Sequence, residues 1–286
     1  MTRRVAITGA SGQLGTELVR AFADAGEEIL PLARPAFDIT RDVDLRRLTD
    51  WRPDIVVNSA AWTDVDGCAR DPKRAMSING TAAGSVASAA ARAGALIVQV
   101  STNEVFDGAL ERAYTEDDEP NPINPYGAAK LAGERLVAAA NAHHLIVRTA
   151  WLFGPGRSNF VTKILAAANR ARASGQPLRV VEDEVGNPTP TPWLAAAIVD
   201  LSRREAASVH GVLHAAGSPV TSRLGWAHEI LSGTNVEIVP IRLSDFPRAS
   251  TVPPRAALSS RRLAELGIPA GDWRTASALI ARQVHA

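Results

Sequence analysis

The sequence is poor in several residue types, and each scarcity narrows what the protein can do. A single cysteine, Cys68, excludes an internal disulfide and favours a reducing compartment. No apolar run is long enough for a signal segment or a membrane span. Lysine and arginine number 31 against 30 acidic residues, and because they are scattered, no basic face predicts nucleic-acid binding. We therefore expect a cytoplasmic protein that contacts neither membranes nor nucleic acids.

Metal ligands are also scarce. The 6 histidines form no ligand pattern, since His210 and His214 lie in "HGVLHAAG", which is typical of a buried strand. The acidic run Glu182, Asp183 and Glu184 is interpreted as a solvated loop rather than a cation site. The residues themselves thus predict no metal site.

Short apolar strands alternate with helices through the first half. We predict strands over 3–8, 28–33, 54–60, 95–101 and 145–150, and a long alanine-rich helix over 72–93. This alternation predicts a Rossmann-like α/β fold, a doubly wound parallel sheet with a smaller C-terminal substrate-binding region. We expect a dinucleotide-binding domain over 1–150 and a mainly substrate-binding region over 151–286. Segments at about 164–185 and 191–217 are expected to return to the Rossmann domain.

A glycine-rich turn follows the first predicted strand. "TGASGQLG" places Gly9, Gly12 and Gly15 between that strand and the first helix. Glycines at this spacing permit a tight turn and let the backbone approach a pyrophosphate, while the helix N-terminus offers free N–H groups to phosphates. Between a strand and a helix, the motif predicts a dinucleotide-binding site.

The end of the second strand bears on the choice of cofactor. An acid at this position would hold the ribose 2′-OH of NAD, but the sequence reads Ala33-Arg34-Pro35, so Arg34 is the only charge. An arginine suits the 2′-phosphate of NADPH, which is therefore favoured over NADH. The alternative is that Arg34 faces solvent, and NADH stays open as a cofactor.

A tyrosine and a lysine lie four residues apart in "NPYGAAK", a spacing that usually marks neighbours on a helix surface. Ser101, Thr102 and Asn103 follow the fourth strand, at the sheet edge where open α/β folds bind ligands, and the helix of Tyr126 starts from the same edge. Thr102, Tyr126 and Lys130 can therefore converge beside a nicotinamide. The ammonium would favour the ionised phenol, and Tyr126 would give a proton to a carbonyl oxygen that Thr102 hydrogen-bonds.

Together, these motifs resemble an extended short-chain dehydrogenase/reductase. Over nearly its whole length the chain is similar to the dTDP-4-dehydrorhamnose reductase family. The matching segments are "GQLG", "FDIT", "PDIVVNSAAWTDVD", "STNEVFDG", "NPYGAAKLAGE", "RTAWLFGPGRSNFV" and "GNPTPT". The resemblance implies NAD(P)H-dependent reduction of the 4-keto group of a dTDP-4-keto-6-deoxy sugar, above all of dTDP-4-dehydrorhamnose to dTDP-L-rhamnose.

The resemblance also implies roles for individual residues. Thr102, Tyr126 and Lys130 take the catalytic positions, and Lys130 also bonds the nicotinamide ribose. The positions along the cofactor are Gly9, Gly12, Gln13, Leu14, Gly15, Arg34, Asp38, Ile39, Ala60, Ala61, Thr63, Tyr126 and Lys130. The positions in the sugar pocket are Val65, Asn103, Glu104 and Trp151. Without the resemblance, Trp151 would equally be a core aromatic residue.

The chain departs from the family pattern at several points. Asn103-Glu104 stands where the family usually has Asp-Tyr, and Arg70 replaces an acid. Because residues two apart on an extended segment face the same side, we expect Glu104 to point into the pocket of Thr102, with an exposed position at the rim as the alternative. Some members dimerise through Mg²⁺ held by glutamates. Glu17 matches one such position and the others have no clear counterpart, which leaves Mg²⁺ and a homodimer open.

Two other functions stay open. A sugar-nucleotide epimerase of the same superfamily would retain NAD and give no net oxidation, but the missing acid after the second strand and the short second half argue against it. A non-catalytic NADP-binding regulatory subunit would share the fold. The intact set of Thr102, Tyr126 and Lys130 argues against that function.

Overall fold

The computed structural model describes residues 2–204 and 209–285. The first part contains, in order, β1 (Arg4–Thr8), α1 (Gln13–Asp24), β2 (Glu28–Leu32), α2 (Asp42–Asp50), β3 (Ile55–Asn58), α3 (Val65–Arg70), α4 (Pro72–Ala75), α5 (Ala82–Ala93), β4 (Leu96–Thr102), α6 (Pro125–Ala140) and β5 (His144–Thr149). The second part contains β6 (Leu152–Phe153), α7 (Phe160–Ser174), β7 (Leu178–Val181), β8 (Val185–Gly186), β9 (Thr189–Pro190), α8 (Thr191–Arg203), β10 (Gly211–His214), β11 (Gly217–Ser218), β12 (Thr221–Ser222), α9 (Arg223–Ile230), β13 (Ile238–Ile241), α10 (Arg261–Glu265), β14 (Gly271–Asp272) and α11 (Trp273–His285). None of the helices described is both long enough and apolar enough to cross a bilayer.

Six strands form one parallel sheet in the order β10-β5-β4-β3-β1-β2. The chain winds outward from β1 first to β2 and then, on the other side, through β3, β4 and β5. This reversal places a topological switch point between β1 and β3, where open sheets of this kind bind ligands beyond the carboxyl ends of their strands. The predicted α/β fold with a doubly wound parallel sheet is confirmed.

Alternate residues of each strand pack on opposite faces of the sheet, as the two-residue period of a strand requires. Val5 and Ile7 of β1 join a cluster that includes Leu18 of α1 and Ile198 of α8. Ala6, between them, joins the cluster on the other face, formed largely by α2 and α5. Both faces are therefore covered, which explains why the strands read as continuous apolar runs.

The long alanine-rich helix expected over 72–93 is interrupted. A π-helical segment, Met76–Thr81, lies between α4 and α5. Within it, the buried Asn79 side chain accepts a hydrogen bond from the Trp62 N–H at 2.8 Å and donates one to the Trp62 carbonyl at 2.9 Å. The segment after β3 is thereby fixed against this helix, a use of π-helical turns that is common beside functional sites.

The second part of the chain contributes to two cores. In this part, β10 pairs with β5 in the main sheet, and α8 packs in the same cluster as α1. Within 164–185, α7 and β7 pack with α9 and α11 around Trp226 and Trp273. Their apolar side chains form a second core with these two tryptophans. Strand β7 pairs with β13 and not with the main sheet. The domain division near residue 150 stays a proposal.

Candidate active site

The glycine turn between β1 and α1 leaves no room for side chains. Gly9 adopts φ +69°, and a Cβ on Gly15 would lie 2.0 Å from the Gly9 carbonyl oxygen. Gly12 forms the N-cap of α1 without any side-chain cap. The first N–H groups of the helix are therefore available to an anion, and only glycine lets α1 approach the turn this closely.

A cavity of about 480 Å³ opens beside this turn at the ends of β1 and β2. Its lining includes seven of the residues predicted to contact the cofactor: Gly9, Gly12, Arg34, Asp38, Ile39, Ala60 and Ala61. The Asp38 carboxylate accepts hydrogen bonds from the Thr40 N–H at 2.9 Å and from the Thr40 hydroxyl at 2.7 Å, which lower its pKa. This carboxylate is already bonded to Thr40, and two exposed cations, Arg34 and Arg74, also line the cavity.

A second cavity, of about 410 Å³, shares Gly12, Ser59 and Ala61 with the first. The two are therefore parts of one continuous cleft along the carboxyl edge of the sheet. The second cavity is lined by the other predicted residues, namely Gln13, Leu14, Gly15, Thr63, Val65, Thr102, Asn103, Glu104, Tyr126, Lys130 and Trp151. The structure thus brings all the predicted cofactor, catalytic and sugar-pocket residues to one cleft, and their individual roles stay proposals.

Tyr126 lies in the first turn of α6, opposite the end of β4. Asn124, the N-cap of α6, accepts a hydrogen bond from the Gly127 N–H at 2.8 Å, and Pro125 occupies the first helical position. Burial raises the pKa of the Tyr126 phenol, the charge of Glu104 adds to this effect, and the Thr102 hydroxyl opposes it. We had expected the ammonium of a nearby lysine to lower this pKa. Burial dominates instead, so the phenol keeps the proton that a general acid must supply.

Lys130 lies one helical turn after Tyr126 and is buried with it. Its ammonium donates a hydrogen bond to the Val100 carbonyl at 2.6 Å. Burial lowers the pKa of Lys130 to about 8, and the negative charge of Glu134 opposes this change. Glu134 itself forms a buried ion pair with Arg148 at 2.7 Å and accepts a hydrogen bond from Ser101, which ties α6 to β4 and β5. Helix α6 is therefore anchored to the two strands whose ends line the cavity.

Glu104 lies in a short 3₁₀ turn, Asn103–Val105, rather than in the extended segment we had assumed. Its carboxylate nevertheless reaches the cavity and accepts a hydrogen bond from the Asn124 amide at 2.7 Å. Burial raises the pKa of Glu104 to about 7; the Asn124 hydrogen bond lowers it, the charge of Glu184 raises it, and Arg248 and Arg223 lower it. The preceding residue, Asn103, also lines the cavity, and its amide donates a hydrogen bond to the Ala256 carbonyl at 3.0 Å.

Trp151 forms the wall of the cavity just after β5. Its φ of +43° is unusual for a large side chain and indicates local strain held by the surroundings. One of those surroundings is Gly186, where a Cβ would come within 2.8 Å of the indole. Another is Arg223, whose guanidinium carbon lies 3.5 Å from the ring centroid.

Sequence reasoning missed two polar residues of this site. Asn124 carries a signal that could have revealed it, because an asparagine before a proline is a typical helix start. Arg223 carries none, since only the fold brings α9 to β5. The acidic run at 182–184 also differs from the expected solvated loop: Glu184 is 9% exposed, and its carboxylate accepts a hydrogen bond from Arg223 at 2.8 Å. A buried carboxylate of this kind needs such a partner.

Glu17, the residue that matches a Mg²⁺ position in some relatives, lies on α1 away from the cleft. It is 6% exposed, and its carboxylate pairs with Arg20 at 2.7 Å. It shares a shallow surface groove with Arg20, Asp24 and part of α8. The Mg²⁺ question is therefore separate from the chemistry of the cleft.

Comparison with known proteins identifies the family. The model of the RmlD substrate binding domain family matches residues 3–285. The chain belongs to this family. It is 37% identical over 276 residues to the spore coat polysaccharide biosynthesis protein SpsK of Bacillus subtilis, with 96% of this chain and 95% of that protein covered. It is 36% identical to dTDP-4-dehydrorhamnose reductase of Burkholderia thailandensis, with 98% of this chain and 99% of that protein covered.

A solved structure shows the same architecture. The dTDP-4-dehydrorhamnose reductase from Bacillus anthracis, solved in complex with NADP, superposes with a TM-score of 0.90 at 31% identity. The alignment covers 99% of this chain and 100% of that one. The resemblance drawn from the sequence motifs is therefore confirmed at the level of the family and of the fold.

Proposed function

We propose that this protein reduces the 4-keto group of a dTDP-4-keto-6-deoxy sugar with NADPH, converting dTDP-4-dehydrorhamnose to dTDP-L-rhamnose. The observation that carries the proposal is the convergence of Thr102, Tyr126 and Lys130 in a cavity continuous with a dinucleotide-sized cleft. Membership of the RmlD family supports it, as does the reductase activity named for the relatives at full coverage.

The residues present fit a nicotinamide dinucleotide. The glycine turn is a cradle that any Cβ would fill, since one on Gly9 or Gly15 would meet backbone atoms within 3 Å. Gly12 then offers the N-terminus of α1 to the pyrophosphate, with the adenosine end toward Arg34 and Asp38. The NADP complex of the Bacillus anthracis relative supports NADPH, and NADH remains the alternative.

When bound, the reduced nicotinamide supplies the hydride that the sugar C4 accepts. Tyr126 donates the proton to the developing alkoxide, because its buried phenol stays protonated until the oxygen of the substrate becomes basic. Thr102, beside it in the cavity, hydrogen-bonds the same oxygen. The Lys130 ammonium donates a hydrogen bond to the Val100 carbonyl, which joins α6 to β4. Because Lys130 also lines the cavity, it can bond the nicotinamide ribose.

The sugar pocket fits a nucleotide sugar, and Glu104 and Trp151 are the residues expected to determine which sugar it prefers. Glu104 faces the cavity with a carboxylate where relatives usually have tyrosine. Either a hydroxyl of the sugar or Asn124 can satisfy this group, so Glu104→Tyr is expected to shift preference toward dTDP-4-dehydrorhamnose if the native sugar differs.

Direct assay tests the proposal. Purified protein is incubated with NADPH and dTDP-4-dehydrorhamnose, NADPH absorbance is followed, and the product is identified by NMR. We expect equimolar NADPH consumption and dTDP-L-rhamnose formation. An epimerase would instead change the sugar without consuming NADPH, and a regulatory subunit would bind NADPH without turnover.

Localisation and assembly belong to the same proposal. A cytoplasmic location suits a pathway enzyme whose single cysteine, Cys68, is free and fully buried. The homodimer implied by the sequence resemblance is a prediction that analytical ultracentrifugation with and without Mg²⁺ would test.

A further inference from the structure

The charges that line the sugar pocket are few. Among the residues that the structure describes, the charged side chains in the cavity lining are Glu104, Lys130 and Arg223. Lys130 is buried beside the catalytic tyrosine and already donates to the Val100 carbonyl. A nucleotide sugar brings the negative charge of its diphosphate into a pocket that already contains a carboxylate. Such a ligand requires a cation, and Arg223 is the one in the lining that lies away from the catalytic set.

Arg223 is fixed in place before any ligand arrives. Its guanidinium donates a hydrogen bond to the Glu184 carboxylate at 2.8 Å, and its backbone N–H donates to the Glu184 carbonyl at 3.0 Å. Its guanidinium carbon lies 3.5 Å from the centroid of the Trp151 ring. The stack and the ion pair together restrict a side chain that would otherwise lose much rotamer freedom on binding, so a ligand meets a preorganised cation.

The guanidinium also retains donors for a ligand. Only its Nη2 makes a hydrogen bond within the described chain, so Nε and Nη1 have no partner among residues 2–204 and 209–285. The Arg223 side chain is 21% exposed, and Arg223 lines the cavity. Nη2 carries a second N–H, and with the neighbouring Nε or Nη1 on the same edge it can form a planar fork, which matches two phosphate oxygens better than a single hydroxyl.

We propose that Arg223 binds the diphosphate of the nucleoside-diphosphate sugar and thereby orients the sugar between Trp151 and the catalytic tyrosine. This inference rests on the proposed function, which supplies the nucleotide sugar. Arg223 would thus bind substrate, and Glu184, the buried acid of the 182–184 run, would hold the Arg223 guanidinium in position.

Binding of dTDP and of thymidine tests the inference without turnover. Arg223→Gln is compared with Arg248→Gln, a matched control whose guanidinium also lowers the pKa of Glu104 but pairs with Asp66 at 3.3 Å and does not line the cavity. Calorimetry should show that Arg223→Gln weakens dTDP binding by about 10- to 100-fold, the size expected for charged hydrogen bonds. Binding of thymidine and of NADP⁺ should stay unchanged, and the control should bind dTDP like the wild type.

Arg223→Lys guards against a folding defect, because it keeps the charge and loses the planar fork. If the melting temperature of Arg223→Lys equals that of the wild type, a folding defect is excluded. This variant should then weaken dTDP binding less than Arg223→Gln does. Wild-type dTDP affinity in Arg223→Gln, or an equal loss for thymidine or NADP⁺, would overturn the inference while leaving the proposed reduction intact. A wild type that fails to bind dTDP at all would overturn the proposed function and this inference together.

Discussion

At the scale of single residues, the environment of Tyr126 decides the chemistry. The phenol is buried, and the nearby Glu104 carboxylate adds negative charge, so its pKa is raised and it remains a proton donor. The lysine that completes the motif is turned toward the Val100 carbonyl. A general acid needs its proton at hand when the alkoxide forms, and this arrangement keeps it there.

Tyr126→Phe should therefore reduce turnover by about 100- to 10,000-fold, the range for loss of a general acid, with NADPH affinity unchanged. Lys130→Ala should lower both turnover and NADPH affinity, because it removes the buried ammonium that is proposed to bond the nicotinamide ribose. Steady-state kinetics and fluorescence titration of NADPH separate the two effects. Near-wild-type turnover in the phenylalanine variant would remove Tyr126 from the mechanism.

Glu104 should make the stability of the protein depend on pH. Burial raises its pKa from 4.5 to about 7, so the folded protein binds this proton more tightly than the unfolded chain does. The free energy of unfolding should consequently fall as the pH rises from about 4.5 to about 7. The free energy of unfolding is measured by urea denaturation at pH 5 and at pH 8. Glu104→Gln should show a smaller decrease between these two pH values than the wild type, because it lacks this titrating carboxyl. The exposed Glu119→Gln serves as control, and identical pH profiles for the two variants would contradict the assignment.

Arg34 should distinguish the two cofactors. It is exposed at the cavity beside the glycine turn, next to an Asp38 whose carboxylate is already bonded to Thr40. Arg34→Ala should raise the dissociation constant of NADPH and leave that of NADH nearly unchanged, since only NADPH has the 2′-phosphate. Arg41→Ala is a matched control, because Arg41 also lowers the pKa of Asp38 without lining the cavity. Equal losses for both cofactors would place Arg34 away from the phosphate.

At the scale of elements, the close approach of α6 to β4 sets the distance between the catalytic groups. A Cβ on Gly127 would lie 2.0 Å from the Glu104 carbonyl oxygen, so only glycine allows the first turn of α6 to reach the 3₁₀ turn after β4. The buried Arg148–Glu134 pair fixes the same helix further along its length. The geometry of Thr102 and Tyr126 is therefore a property of how the two elements pack.

Gly127→Ala should push the start of α6 away from β4 and lower kcat much more than it weakens NADPH binding. The exposed Ala138→Ser, on the same helix, should leave both quantities unchanged. Kinetics and NADPH titration on the two variants provide the measurement. A kcat equal to that of the wild type in Gly127→Ala would show that the helix has room to spare.

The sequence predicted the elements of the main sheet well, because buried parallel strands and glycine-bounded helices depend on local patterns. The π-helical segment Met76–Thr81 was not predicted, and its Asn79 bonds to Trp62, a contact outside the helix that local patterns do not reveal. The two-residue strands, such as β8 paired with β12, likewise depend on partners that only the fold brings together. The same limit hid Arg223, which reaches Trp151 only after α9 has packed.

At the scale of the whole molecule, the cleft joins two cores. The segments after β1 and β3, together with β4 and α6, line the side proposed for the cofactor and the catalytic groups. Trp151 and Arg223 connect the cavity to the aromatic cluster around Trp226. The cofactor side was predictable because motifs mark it. The substrate side was predicted mainly through resemblance to the RmlD family, because its residues come from separate segments without a local signature.

Transfer of deuterium tests the central claim most directly. Wild-type protein is given NADPH that carries deuterium at the transferable position of the nicotinamide, together with dTDP-4-dehydrorhamnose, and the product is examined by NMR and mass spectrometry. We predict one deuterium at C4 of dTDP-L-rhamnose, formed at a rate that Tyr126→Phe lowers strongly. A product without deuterium at C4, or a changed sugar with no NADPH consumed, would contradict the assignment of the cleft as a 4-keto reductase site.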